Sequence, residues 1–279
     1  MSVSPFRDLE KLLDELGSTG TVSVWWGDLV GVRFSRNAEE PHYGASEMKL
    51  PLVLAAMRRA ERGELNLNAQ VPVHNTFASA LDGSTFSIDP AEDEDPGTWA
   101  ALESGTTRSL LQLADHAITH SGNLATNLLL EAVGLTEIAH VLDVTGCSPV
   151  ISIKRGIEDA AAREAGITNT VTAVDMAKIM SSLGRRDTAL GGAAVCAPVE
   201  AMLARQQVRT MIPSGLPSAV PVANKTGSIP GVAHDVALVR PNGRAPYVLS
   251  VCTTTGLSDT AGAALVASIS KQVWKIYTA

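Results

Sequence analysis

Ser46-Glu47-Met48-Lys49 stands at the mouth of a continuous apolar run, Leu50-Pro51-Leu52-Val53-Leu54-Ala55-Ala56-Met57. Side chains three residues apart share one face of a helix, so the serine and the lysine point the same way. A serine hydroxyl is a poor nucleophile until a base takes its proton. A lysine one turn away becomes that base once burial lowers its pKa. Taken alone, the tetrapeptide fits a solvated surface pair equally well. Its setting argues otherwise, because Lys49 opens an apolar helix instead of lying among charges, which directs its ammonium into the fold or a cleft. The chain therefore reads as an enzyme that acylates a serine.

Two later segments extend this reading. Ser121-Gly122-Asn123 lies between helix-like stretches, Ser109 to Ile118 and Leu124 to Leu130, and forms a short polar link between buried helices. Lys225-Thr226-Gly227-Ser228 opens a region of β-type alternation, with Val232, Val236, Leu238 and Val239 ahead of the turn Pro241-Asn242-Gly243. A glycine in or beside such a strand lets another backbone approach closely.

Ser-x-x-Lys, Ser-x-Asn and Lys-Thr-Gly, in that order, resemble the motif set of class A β-lactamases and penicillin-binding proteins. The resemblance runs from the apolar Val22–Phe34 segment to the C-terminal helix. It implies Ser46 as nucleophile and Lys49 as the group that accepts or relays its proton, with Ser121 passing that proton to the leaving nitrogen. Backbone N–H groups of Ser46 and Ser228 are the implied oxyanion donors. Asn123 is expected to hold the substrate amide and orient Lys49, although capping of the following helix is the plainer role for an asparagine there. Lys225 and Thr226, with Gly227 and Ser228, are expected to meet a substrate carboxylate, against the alternative of an exposed charge at a strand end.

Deacylation divides the resembling enzymes. Class A β-lactamases activate the water with a glutamate and an asparagine in one loop, and the corresponding region here is Lys154 to Asn169, with Glu158 as the candidate base. The Glu-x-x-x-Asn pattern is absent, because the fourth residue after Glu158 is Ala162 and the fourth after Glu164 is Thr168. Glu158 could instead be a surface carboxylate or a partner of Arg155 or Arg163. A second departure is Gly122, where the family typically has aspartate. A D-alanyl-peptidase, esterase or transacylase of the same fold is the alternative activity. His234-Asp235 suggests a Ser/His/Asp triad, but neighbours in a strand point to opposite faces, so a structural histidine is the expectation.

Of the 279 residues, 45% are hydrophobic, enough for a sizeable core in one domain or two intimately joined lobes. A first helix starts at Ser4-Pro5, carries Leu9, Leu12, Leu13 and Leu16 on one face, and stops at Gly17. Val22, Val24 and Trp26 alternate before Gly27-Asp28, and Leu29 to Phe34 reads as the partner strand of a hairpin. Strands return at Val232–Val239 and Tyr247–Thr253, and a helix closes the chain from Ser258 to Tyr277. The expected fold is α+β: an antiparallel sheet built from both chain ends (about 1–45 and 210–279), flanked by helices, with an all-helical lobe (about 46–209) inserted. The polar stretch from Val73 to Thr106 shows no pattern, and its cluster Glu92-Asp93-Glu94-Asp95 reads as a solvated loop.

A net charge of -7 and a pI near 5.4 offer no basic footprint for nucleic acid or anionic membrane; the resemblance implies a small-molecule partner with an amide or ester and a carboxylate. No metal or cofactor is expected. Cys147, Cys196 and Cys252 lack metal-like spacing and read as small buried hydrophobes. The first residues lack a basic start and apolar core, so the expectation is a cytoplasmic chain, or an exported one if a signal has been trimmed.

Overall fold

The fold is seen in a computed structural model that describes residues 5–16 and 20–279. Ser4 and Gly17, the expected start and stop of the first helix, lie outside the described residues. Ten helices are described: α1 (Arg7–Leu16), α2 (Lys49–Glu61), α3 (Pro96–Glu103), α4 (Leu110–Thr119), α5 (Asn123–Val133), α6 (Leu135–Val144), α7 (Ala160–Glu164), α8 (Ala173–Arg185), α9 (Gly192–Ala204) and α10 (Asp259–Thr278). The main sheet has five strands: β1 (Gly20–Asp28), β2 (Val32–Arg36), β3 (Val222–Ile229), β4 (Val232–Val239) and β5 (Tyr247–Thr255). Their order is β2-β1-β5-β4-β3, antiparallel throughout, so the two chain ends do meet in one sheet.

The β1–β2 hairpin forms as the alternation predicts, but its second strand starts at Val32, not Leu29. The Asp28 carboxylate accepts hydrogen bonds from Val30 N and Gly31 N, both at 2.9 Å, and this side-chain-made turn uses residues 29–31. Val22, Val24 and Trp26 lie on the outer face of the sheet with Leu9 and Leu13 of α1 and Leu265, Val266, Ile269 and Val273 of α10. Val236, Leu238, Val248 and Cys252 belong to a second core on the inner face, shared with α2 to α6, α8 and α9. A sheet with apolar side chains on both faces must be covered twice: α1 and α10, from the two ends of the chain, cover the outer face, and helices from between them cover the inner one.

α2 is the axis of the inner core. Every residue from Lys49 to Arg58 is buried, the pattern of a helix surrounded on all sides, and Pro51 is harmless because it falls in the first turn. α4 begins with a capping box: Ser109 Oγ accepts from Gln112 N at 3.1 Å, and Gln112 Oε1 accepts from Ser109 N at 2.9 Å. The segment from Val73 to Thr106 is structured, contrary to expectation. It holds a small ladder (Phe77–Ala78 with Thr85–Phe86) and α3, whose N-cap is Asp95. Its acidic cluster is solvated at Glu92 and Glu94 only, since Asp95 is fully buried and Asp93 is half-buried against α5. Cys196 and Cys252 are buried, whereas Cys147 is partly exposed; all three are free thiols.

Candidate active site

The turn that carries Ser46 is unusual before any chemistry is considered. Ala45 has a φ of 41°, a left-handed conformation that costs energy for a residue with a Cβ, and it leads into a short 3-10 turn over Ala45–Met48 that runs into α2. Ser121 (φ 58°) and Glu158 (φ 63°) carry the same strain. Three of the five non-glycine residues with positive φ among those described are thus gathered at one groove.

Ser46 is partly exposed on that groove and Lys49 is fully buried beneath it. Lys49 Nζ donates to the Ser121 carbonyl, to Asn123 Oδ1 at 2.7 Å and, more weakly, to Ser121 Oγ at 3.4 Å. These are neutral acceptors. Burial holds the Lys49 amine well below the usual lysine range, and the nearby Lys225 charge lowers it further. Lys225 is not an exposed strand-end charge: it is fully buried, donates to Ser121 Oγ at 2.9 Å and to the Thr226 carbonyl at 2.8 Å, and burial brings its pKa to about 7. The Ser121 hydroxyl therefore lies between two lysines.

Asn123 does not cap α5. Asp93 does so, its carboxylate accepting from Asn123 N at 2.8 Å and Leu124 N at 2.9 Å. This frees the Asn123 side chain to turn into the groove, where Nδ2 donates to the Glu92 carbonyl at 3.1 Å and to Glu158 Oε1 at 3.0 Å. The second Glu158 oxygen accepts from Asp89 N at 2.8 Å. Glu158 is not an arginine's partner: Arg155 is buried and spends its guanidinium on the carbonyls of Ile167 and Gly156 and on the Tyr43 hydroxyl, and Arg163 makes no ion pair among the described residues. Burial raises the Glu158 pKa above the ordinary carboxylate range.

Gly227 brings β3 against the nucleophile turn. A Cβ there would lie 3.1 Å from both Ser46 N and Glu47 N, so only a bare backbone lets the strand approach this closely. Thr226, with Ser228 exposed beside it, lines a compartment of about 150 Å³ shared with Ser46, Ser121 and Asn123. An adjoining pocket, about 430 Å³, is lined by Ser46, Asn123 and Glu158 together with Tyr43, Asp89 and Arg155. Ser46, Lys49, Ser121, Asn123, Glu158, Lys225, Thr226, Gly227 and Ser228 are all brought to this one groove.

His234 stays outside it. Its Nδ1 accepts from Thr253 N at 3.0 Å and its Nε2 donates to the Tyr43 carbonyl at 2.9 Å, which makes it a buried neutral ring. Asp235 points the other way, accepting from Ile212 N and Asn224 Nδ2. No Ser/His/Asp triad forms. Asp95, His116 and His120 offer metal-ligating atoms within 4.8 Å of one another, but Asp95 is already bonded by Gly97 N, Thr98 N, the Thr98 hydroxyl and His116 Nδ1.

Sequence reasoning missed Asn127 and Asp159. The Asn127 side chain bonds both backbone groups of Ile157, accepting from its N–H at 2.8 Å and donating to its carbonyl at 3.0 Å, which fixes the residue before Glu158. An asparagine four residues after Asn123 and inside an apolar run was the available signal. Asp159 is buried and accepts from Ser79 Oγ, Ala80 N and Ala162 N at 2.7, 2.8 and 3.2 Å. Ala162, at the position where the resembling enzymes carry asparagine, is buried in the short helix that Asp159 caps.

The model of the β-lactamase enzyme family matches residues 5–277. No curated protein sequence matches the chain. Among solved structures, a class A β-lactamase of the last common ancestor of Gram-negative bacteria is 25% identical, with a TM-score of 0.79 over 98% of this chain and 99% of that one. A β-lactamase from Xanthomonas campestris has the same fold, with a TM-score of 0.83, 23% identity and 99% of each chain covered. With the family matched over nearly its whole length and a serine-lysine groove on a class A scaffold, the chain belongs to the β-lactamase enzyme family and is a serine hydrolase.

Proposed function

We propose that the protein opens the amide bond of a β-lactam, or of a small molecule like it, through an acyl-Ser46 intermediate that water then clears. Ser46 Oγ attacks the carbonyl carbon as the Lys49 amine, its pKa lowered by burial, takes its proton. The carbonyl oxygen becomes an oxyanion between the N–H groups of Ser46 and Ser228. When the C–N bond breaks, the proton passes from Lys49 through the Ser121 hydroxyl to the leaving nitrogen. Lys225 supplies positive potential, and Thr226 and Ser228 hydroxyls, for a substrate carboxylate in the smaller compartment.

The observation that carries this reading is the buried Lys49 amino group, one turn from Ser46, whose bonded acceptors are Ser121 and Asn123 and not a carboxylate. A surface pair would have neither the burial nor that partner set. Hydrolysis of the acyl-enzyme, in preference to its persistence as in a peptidase or transacylase, is favoured by Glu158, both of whose oxygens are held at the groove by Asn123 Nδ2 and Asp89 N. With Ala162 in place of an asparagine, Asn123 is the side-chain amide that shares this carboxylate. The test is intact-protein mass spectrometry after mixing with a penicillin. An adduct mapping to Ser46, lost in Ser46→Ala together with all turnover, is expected; neither adduct nor turnover in the parent removes the β-lactam reading.

A further inference from the structure

Gly122 lies between the proton-relaying Ser121 and the amide-holding Asn123, and it has no side chain with which to hold them. The space a side chain would take is not empty. A Cβ built on Gly122 would lie 2.8 Å from both Cβ and Oδ2 of Asp95, far inside van der Waals contact. Asp95 comes from the segment ahead of α3 and is fully buried. Its own orientation is fixed by Gly97 N at 3.0 Å, Thr98 N at 3.2 Å, the Thr98 hydroxyl at 2.5 Å and His116 Nδ1 at 2.9 Å.

The groups that fix Asp95 are tied to the same loop. The His116 carbonyl accepts from Gly122 N at 3.2 Å, so the residue that bonds the Asp95 carboxylate through its ring also holds Gly122 through its backbone. The Gly122 carbonyl accepts from Thr126 Oγ1 at 2.5 Å. Two residues before Asp95, Asp93 caps α5 through Asn123 N and Leu124 N. The loop so clasped carries Ser121 at φ 58°, a conformation that persists only where its surroundings over-determine it, and offers the Ser121 carbonyl to Lys49.

We propose that Asp95 is a positioning residue for Ser121 and Asn123, filling from a neighbouring segment the place that a side chain at Gly122 would otherwise take. The two positions form an exchangeable pair: a carboxylate can stand in that space from one or the other, but not from both. Substitutions at the two sites must therefore fail to combine independently.

The kinetic readout rests on the acylation reading above. Asp95→Gly, Gly122→Asp, the double variant and Asp95→Asn are compared by single-turnover acylation of Ser46, using a penicillin or, failing that, a p-nitrophenyl ester. The temperature is one at which circular dichroism finds every variant folded. Glycine is tolerated at a helix N-cap, but Asp95→Gly also leaves Gly97 N, the Thr98 hydroxyl and His116 Nδ1 without their acceptor, so it clears the space with a loss of stability that a carboxylate at position 122 is expected to recover in part. Each single variant is expected to lower the saturating acylation rate about tenfold, from misplacement of a fraction of an ångström, with little change in substrate dissociation constant. The double variant is expected to return to within about threefold of the parent, and Asp95→Asn, which keeps shape and cap, to remain there as well. Losses that multiply in the double variant, parental acylation by Asp95→Gly, or a tenfold loss in Asp95→Asn would each overturn the proposal. If neither reagent acylates the parent, the acylation reading fails separately, and the same cycle is read in Tm: rescue of Asp95→Gly by Gly122→Asp supports the pair, whereas additive Tm losses overturn it. Should Asp95→Gly not fold alone, recovery of a folded double variant supports the pair and its failure to fold overturns it.

Discussion

At Glu158 the local geometry decides the chemistry. A carboxylate half-buried in the pocket that Ser46 lines and raised in pKa is a stronger base than an exposed one, provided it is ionised. The sign follows directly: below its pKa the base is protonated, so deacylation falls about tenfold per pH unit, and this limb is displaced upward from that of an ordinary glutamate. Glu158→Gln is expected to abolish the limb and slow deacylation by about 10²- to 10⁴-fold, with acylation little changed. Pre-steady-state rates across pH check both. Lys225 adds a second titration, because with a pKa of about 7 it loses its charge as pH rises through neutrality. Affinity for a carboxylate-bearing substrate is therefore expected to weaken above pH 7 more than affinity for a neutral ester does, measured as KM for the pair of substrates across pH.

The elements carry their residues with unequal visibility in sequence. Ser46, Lys49, Ser121, Asn123 and Lys225 could be read because their types recur at short, fixed spacings. The site's supports were harder to read, because each acts across a long separation in the chain: Asp93 and Asp95 on the loop before α5 from a segment without periodicity, Asn127 on Ile157, and Asp159 on Ser79 and Ala80. The capping role expected of Asn123 belongs to Asp93, and a cap supplied from thirty residues away leaves no local signature. In the same way, the Asp28 side chain shortens β2 by claiming residues 29–31 for a turn. Two predictions belong to this scale. Asp159→Ala leaves Ser79 Oγ and Ala80 N without their acceptor, which is expected to cost about 3 kcal/mol in urea unfolding and to slow deacylation by loosening the neighbouring Glu158. Gly227→Ala pushes β3 off the nucleophile turn by a few tenths of an ångström, and is expected to lower acylation about tenfold with a smaller effect on KM.

Across the whole molecule the antiparallel sheet was legible from both chain ends, since alternation in Val22–Trp26 and Val232–Val239 is a strand signal that tertiary context did not override. What the sequence left hidden was the cluster of ionisable groups buried near that sheet. His42 and His234 are held neutral by burial, each with its pKa lowered to about 4. A histidine whose folded pKa is depressed contributes stability above its unfolded value, and that stability is lost as pH falls toward the folded value. Asp235, raised to about 6, works in the opposite direction over an overlapping range. The clean observable is therefore a difference: between pH 6.5 and 4, urea stability of His234→Gln is expected to fall less steeply than the parent's, by up to about 3 kcal/mol over the window. Parallel slopes would mean that His234 does not titrate on unfolding.

The most direct test of a serine hydrolase that clears its own acyl group is a time course of intact mass for the parent and Glu158→Gln mixed with the same penicillin. The expected result is a transient adduct on Ser46 in the parent and a persistent one, on the same peptide, in the variant. Turnover by Glu158→Gln at the parental rate, with no accumulated adduct, would contradict the assignment of Glu158 as the base that activates water.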